Sequence, residues 1–358
     1  MSLSIDSTQL TSPVQLPAAN FHPVGLPSGA SPEQNAQWWN GLSAHERVGY
    51  LADHGSEIGS MDGLPSEIRH AANMETLRED ARSGDEGAQS LLARIDESRS
   101  TQDPSGHLYL LEFTPADPAS NWFDTKTDAT AVVAISNPDL ADNVAVFVPG
   151  TGSTVDSIGS NIDRMDALKA QAELFDDEAA TSTIVWLGYD APDNVVGFRG
   201  PDATAIGPAL DGAPALREFT HGLRASSEGN TPANLTVIGH SYGSTVVGYA
   251  DRSDRSDGLG ADNIIVAGSP GLSVHSADQL SIDNGSLWTA MADDDPIRHT
   301  PTFIHGTNPV NEGFGGTRID NGGASGHSGY WTSGSESLRN QGYIVTGNEH
   351  MVSTREFR

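Results

Sequence analysis

Leu235-Thr-Val-Ile-Gly-His-Ser-Tyr-Gly-Ser-Thr-Val-Val-Gly-Tyr-Ala250 is the stretch whose reading decides the fold. Its first four residues are apolar or β-branched and read as a buried strand. The run breaks at Gly239-His-Ser-Tyr-Gly243 and resumes from Ser244 to Ala250, where Val246, Val247 and Ala250 suit a helix packed on a sheet. Strand, tight turn with Gly-x-Ser-x-Gly, then helix is the context of a nucleophile elbow. The glycines allow a strained turn and a close approach of strand to helix. Ser241 is expected at its tip with the hydroxyl exposed.

Working outward, the same alternation recurs. Asn143–Val148, Ser182–Leu187, Asn263–Ala267 and Ser286–Met291 read as strands, and Asp156–Glu178 as mostly helical, with Ile158, Ile162, Met165 and Leu168 on one side. A further helix is expected around Pro214–Ser226, after an irregular Gly/Pro-rich cap over 193–214. His107–Phe113 and Ala129–Ile135 read as strands, paired across 115–128. This alternation predicts a mostly parallel, doubly wound sheet with helices on both faces. Upstream, Ser31-Pro32-Glu33 and Ser43-Ala-His-Glu46 are helix-start signals. Ala88, Leu91, Leu92 and Ile95 mark one helical face. The expected organisation is a flexible arm over 1–30, a helical extension over 31–104 packed on the main domain, and a catalytic domain over 105–358. Trp38 and Trp39 are expected to pack against that domain.

Functional groups collect at the carboxyl ends of parallel strands. A serine nucleophile needs a base, an acid to orient the base, and donors for the oxyanion. The chain offers Ser241, then the Asp293–Asp295 cluster, then His327, in the order of this fold type. Asp295 is the preferred acid because it stands before Pro296, where a turn begins; Asp293 and Asp294 remain alternatives. The three adjacent carboxylates lack the spacing of a calcium loop, and no metal or other cofactor is expected. Among histidines after the acid, His327 lies in a small-residue loop suited to reaching over the sheet, with His305 its main competitor and His299 and His350 less well placed. The oxyanion donors are expected at the Tyr242 backbone N–H and in Pro149-Gly-Thr-Gly-Ser153, at Thr151 or Gly152. Tyr189, His240 and Tyr330 are expected at the substrate, and Trp186, Phe198 and Trp331 could line an apolar cleft.

Composition narrows the partners. Lys and Arg number 19 against 48 Asp and Glu, a net charge of −29. Such a surface repels nucleic acid and anionic lipid headgroups. There is no cysteine, which removes disulfides, thiolate catalysis and Cys-based zinc sites. The start, Met1–Ser7, has neither a basic nor an apolar region, so no ordinary signal peptide is expected, and no run approaches a membrane span. The location is left open between the cytoplasm and export by another route.

The chain resembles the actinobacterial α/β-hydrolases formerly grouped as a domain of unknown function, DUF1023. The motifs that carry the resemblance are Trp38-Trp-Asn-Gly-Leu-Ser43, Ile58-Gly-Ser-Met-Asp-Gly-Leu-Pro65, Asn143–Ser153, Gly188-Tyr-Asp-Ala-Pro192, Gly239–Ser244, Gly268-Ser-Pro-Gly271, Asp295-Pro296 and His327-Ser-Gly-Tyr-Trp331. The resemblance implies an α/β-hydrolase fold with an N-terminal helical extension and a Ser-Asp-His triad, and little about the substrate. The expected activity is hydrolysis of a small-molecule or lipid ester. An amidase, peptidase or acyltransferase could use the same triad, and a non-catalytic binding protein could keep the scaffold.

Overall fold

Strands rich in Val, Ile and Ala, with almost no polar alternation, form the middle of the molecule. The structure, a computed structural model, describes residues 25–117, 127–194, 203–227, 234–254 and 257–356. Residues 1–24 of the expected arm, and Phe198 within the expected cap, lie outside the described residues.

The strands are β1 (Leu108–Thr114), β2 (Thr130–Ile135), β3 (Asn143–Val148), β4 (Thr181–Leu187), β5 (Asn234–His240), β6 (Asn263–Ala267), β7 (Leu287–Ala290) and β8 (Thr317–Arg318). They form one eight-stranded sheet in the order β1-β2-β4-β3-β5-β6-β7-β8. The β1–β2 and β2–β4 pairs are antiparallel; from β4 onward every pair is parallel. Every residue of β3, β4, β6 and β7 is buried, as parallel strands covered on both faces require. The direction of strand addition reverses at β3, which pairs with β4 on one side and β5 on the other. Such a reversal opens a crevice at the carboxyl ends. Val148 pairs with Gly239, so the loops after β3 and β5 leave the sheet side by side.

The helices are α1 (Pro32–Gly41), α2 (Ala44–Asp53), α3 (Gly55–Gly59), α4 (Ser66–Ser83), α5 (Glu86–Ser98), α6 (Ile158–Glu173), α7 (Gly207–Ser226), α8 (Gly243–Ala250), α9 (Thr302–His305) and α10 (Glu336–Val345). Capping boxes start α1 and α2: Ser31 pairs reciprocally with Gln34, and Ser43 with Glu46. The helix expected from Pro214 begins at Gly207 and runs through that proline. Pro208 fits its first turn, where a missing N–H costs nothing, and the buried Ala209, Ala213, Leu216 and Phe219 outweigh the hydrogen bond lost at Pro214.

The tryptophan expectation needs correcting. Trp39 is fully buried, but in a separate small core with Tyr50, Ile58, Leu64 and Ala72, and the Trp38 ring meets Tyr50 edge-on at 5.0 Å. Helix α4 makes the connection to the sheet. The Leu110 N–H donates to His70 Nδ1 at 3.0 Å, and Asn73 donates to the Leu110 carbonyl at 3.3 Å. These two side chains occupy backbone groups of edge strand β1 that would otherwise be open to strand pairing.

Beside them lies a charged cluster. Arg69 donates to Asp62 at 2.7 Å and stands 4.0 Å from Glu112 on β1. Burial pushes Glu112 up to about 7 despite Arg69, and Asp62 adds repulsion. A carboxyl raised on folding keeps its proton longer in the folded state than in the unfolded one. Its contribution is therefore present at low pH and is lost as pH rises from its ordinary range to about 7. Glu112→Gln is expected to flatten the pH dependence of stability over that window, by about 1–3 kcal/mol between pH 5 and 8 in urea titrations. An unchanged pH slope would show that Glu112 does not titrate abnormally.

Candidate active site

The elbow sits where β5 gives way to α8. Ser241 has φ +53°, a left-handed conformation that costs a non-glycine residue about 1–2 kcal/mol. Several contacts hold it. The Ser241 N–H donates to the Ala267 carbonyl at 3.1 Å, and the Ser244 hydroxyl donates to the Ser241 carbonyl at 2.6 Å. A Cβ at Gly239 would come within 2.6 Å of Ser244 Cα, and one at Gly243 within 2.1 Å of the Val148 carbonyl oxygen. Only hydrogen fits at either position, so strand and helix can close around the turn.

Ser241 Oγ is 2.8 Å from His327 Nε2. His327 Nδ1 is 3.1 and 3.0 Å from the two oxygens of Asp295. Because the ionised carboxylate only accepts, Nδ1 carries the proton and Nε2 is free to accept from the serine hydroxyl. Asp295 is fully buried. Burial pushes its carboxyl up, but hydrogen bonds from His327, from Tyr330 Oη at 2.6 Å and from the Ile297 N–H at 2.9 Å outweigh it, and the group is held below its ordinary value. A side chain at Gly268 (φ +58°) would lie 2.8 Å from Asp295 Oδ2 and 3.1 Å from His327 Nδ1, so this glycine leaves room for the pair.

The other two carboxylates of the triplet point elsewhere. Asp294 accepts from the Ser325 hydroxyl at 2.7 Å and the Gly326 N–H at 2.8 Å, which ties down the loop that carries His327. Asp293 accepts from Arg355 at 2.9 Å. Of the competing histidines, His305 is buried beside the cleft and hydrogen-bonds the Ala203 carbonyl, while His299 and His350 are exposed.

The two loops expected to hold the oxyanion donors meet beside Ser241. A Cβ on Gly150 would come within 2.6 Å of Ser241 Cβ and 3.0 Å of the Tyr242 nitrogen. Among the described residues, neither the Tyr242 nor the Thr151 N–H has a hydrogen-bond acceptor, and both residues line the cleft. Gly152 is different. Its N–H donates to the Pro192 carbonyl at 2.8 Å, which removes it as a donor.

Two of the three residues expected at the substrate lie behind the site instead. Tyr330 is fully buried and donates to Asp295. Tyr189 is buried, donates to the Pro149 carbonyl at 2.7 Å, and stacks between Trp186 and Tyr242. It braces the loop after β3 without facing the cleft. Trp186 and Trp331 are likewise buried. The general reason is that a large aromatic at the sheet's end gains more from packing than from lining an open cleft. His240 alone of the three lines the cleft. Burial and the neighbouring His327 push it down to about 3, so it is neutral at pH 7, and its Nε2 donates to the His327 carbonyl at 2.7 Å.

The cleft over Ser241 has a volume of about 710 Å³, within the usual range for small-ligand sites. Ile297, Pro301 and Ile304 give it an apolar side, and Ser157, Ser160, Asn161 and Arg164 a polar one. These four were not anticipated. Their spacing at i, i+3, i+4 and i+7 was the available signal, since it defines one polar helix face beside the buried one.

A mostly parallel sheet that carries a strained serine on a strand-to-helix turn, with acid and histidine on later strand-end loops, has the α/β-hydrolase fold. The profile of a family described as α/β hydrolase matches residues 124–305, and the chain belongs to that family. An uncharacterized protein of Mycobacterium tuberculosis is 29% identical over 397 aligned residues, covering 93% of this chain and 58% of its own length. The chain thus spans little more than half of that relative. An uncharacterized protein of Mycobacterium bovis is 30% identical over 191 residues, covering 50% of this chain and 68% of its own length. Among solved structures, an arylesterase aligns with TM-score 0.39 and 11% identity, over 80% of this chain and 99% of its own. A Trichoderma reesei cutinase in complex with a phosphonate inhibitor aligns with TM-score 0.37 and 15% identity, over 59% and 78%. No helix among the described residues is long and apolar enough to cross a membrane.

Proposed function

We propose that this protein is a serine hydrolase that cleaves carboxylic esters through an acyl-enzyme on Ser241. One observation carries the reading: an unbroken hydrogen-bonded chain from Ser241 through His327 to Asp295, at a strained elbow. In this reading His327 Nε2 takes the Ser241 proton as Oγ attacks the ester carbonyl. Asp295 keeps the imidazole in the required tautomer and stabilises the imidazolium. The N–H groups of Tyr242 and Thr151 receive the oxyanion. His327 then protonates the leaving alcohol, and water, deprotonated by the same imidazole, releases the acid. Tyr330 and Asp294 act as positioning residues, one on the acid and the other on the histidine loop. The substrate is a small-molecule or lipid ester, and the motifs shared with the former DUF1023 group agree with this chemistry.

A fluorophosphonate probe tests the reading directly, because it reacts with an activated serine and not with an ordinary hydroxyl. Wild-type protein is expected to be labelled at a single serine, Ser241, located by peptide mapping, and labelling should stop ester turnover. Full turnover by unlabelled protein that never reacts with the probe would sink the proposal.

A further inference from the structure

The polar side of the cleft contains a cation with no acid to pair with among the described residues. Ser157, Ser160, Asn161 and Arg164 all line the cleft above Ser241, on α6 and the turn that leads into it. The buried Ile158, Ile162, Met165 and Leu168 fix that helix, so the polar face cannot swing away. Arg164 is half-buried, which pushes its ionisation down, yet an arginine stays charged at any ordinary pH. Its guanidinium lies 5.5 Å from the Trp331 ring centre, and its Nη1 donates to Asn161 Oδ1 at 2.8 Å. Among the described residues its remaining N–H groups have no acceptor, and no carboxylate comes within ion-pair distance. Asp193 also lines the cleft but forms no ion pair with Arg164.

Acids outnumber bases by 48 to 19 in this chain, and among the described residues Arg47, Arg99 and Arg217 also stand outside any ion pair, but none of those three lines the cleft. Arg69, Arg94 and Arg224 each hold an aspartate within 2.8 Å. A guanidinium kept free of them on a fixed helix, with an open edge of donors, is arranged for an anion from outside the chain. Its position ties it to the reaction centre. Trp331, on which it stacks, meets the His240 ring edge-on at 5.2 Å, and His240 is the residue before the nucleophile.

We infer that the cleft takes esters in which one portion ends in a carboxylate, held bidentately by Arg164 with Asn161, Ser157 and Ser160 around it. The apolar remainder lies against Ile297, Pro301 and Ile304. This inference rests on the serine esterase reading. With a hemiester of a dicarboxylic acid, the acyl–oxygen bond breaks, water supplies the hydroxyl, and the products are the alcohol and the dicarboxylate. No other reactant is needed. The unpaired charge gives the site a preference that an uncharged wall would lack, since carboxylates are otherwise repelled by so acidic a protein.

The test compares 4-nitrophenyl hemiesters of succinate, glutarate and adipate with neutral 4-nitrophenyl esters of matching length. The wild type is expected to favour one of the hemiesters in kcat/KM. Arg164→Met should lower that preference about 10- to 100-fold, mainly through KM, and Arg164→Lys should restore part of it. Arg78→Met, which removes the same charge from an exposed helix, should leave the preference as it was. Binding provides a readout free of catalysis: monomethyl glutarate should bind the Ser241→Ala protein in calorimetry, and at least about tenfold more weakly when Arg164→Met is added. Binding that depends on Arg164 without hydrolysis of any ester would keep the anion site and remove the esterase reading. Hydrolysis of neutral esters with no dependence of preference or binding on Arg164 would do the reverse.

Discussion

Ser241→Ala is expected to lower turnover of an activated ester by about 10⁶-fold, and His327→Ala to lower it nearly as far. In the proposed mechanism the two groups share one proton path, so neither step works without the other. The double variant should therefore be no slower than the worse single one. What remains should still exceed the reaction in water, because the Tyr242 and Thr151 N–H groups survive both changes. The backbone also bears on the outcome. Ser241 holds φ +53°, and alanine tolerates that region no better than serine, so the fold should survive with a small loss of stability. Thermal melting of each variant separates lost chemistry from lost structure. If the double variant multiplied the two single losses, the groups would be acting independently, and the 2.8 Å bond between them would not be the proton path.

Much of this site was legible because its cues are local. The elbow announces itself in nine residues of strand and turn, and the Asp295-Pro296 step reads as a turn start, which it is: Asp295 caps the short helix Pro296–His299. Capping boxes at Ser31 and Ser43 are equally local, since each is closed by a residue three positions on. What could not be read depends on partners distant in sequence. Gly152 and Thr151 look alike as oxyanion donors until the Pro192 carbonyl takes the Gly152 N–H. Tyr330 reads as a cleft aromatic until its hydroxyl is found on Asp295, 35 positions away. Strand β8 spans only two residues, too short to carry an alternating pattern. The roles of Asp293 and Asp294 follow from Arg355 and Ser325, which no spacing rule connects to them.

The acidic triplet is also where the second large effect lies. Asp295→Asn is expected to reduce turnover by about 10⁴-fold with little change in the fold. The isosteric amide fits the same space, but it brings a donor into a pocket built for an acceptor. Asp295 already accepts from Tyr330, from the Ile297 N–H and from His327. An amide NH₂ turned toward His327 meets the Nδ1–H, and the imidazole then favours the tautomer with its proton on Nε2. That nitrogen can no longer accept from Ser241. Asp294→Asn keeps one acceptor for the Ser325–Gly326 loop, so its loss should be about tenfold or less. Asp293→Asn, an exposed partner of Arg355, should be close to wild type. The pH dependence of stability gives a second measure. Asp295 is held below its ordinary value in the folded state, so its stabilising contribution is present above the unfolded-state pKa and is lost as pH falls through the folded one. The Asn variant lacks this dependence and should lose less stability on acidification. If Asp294→Asn proved more damaging to turnover than Asp295→Asn, the acid would have to be reassigned to the residue beside it.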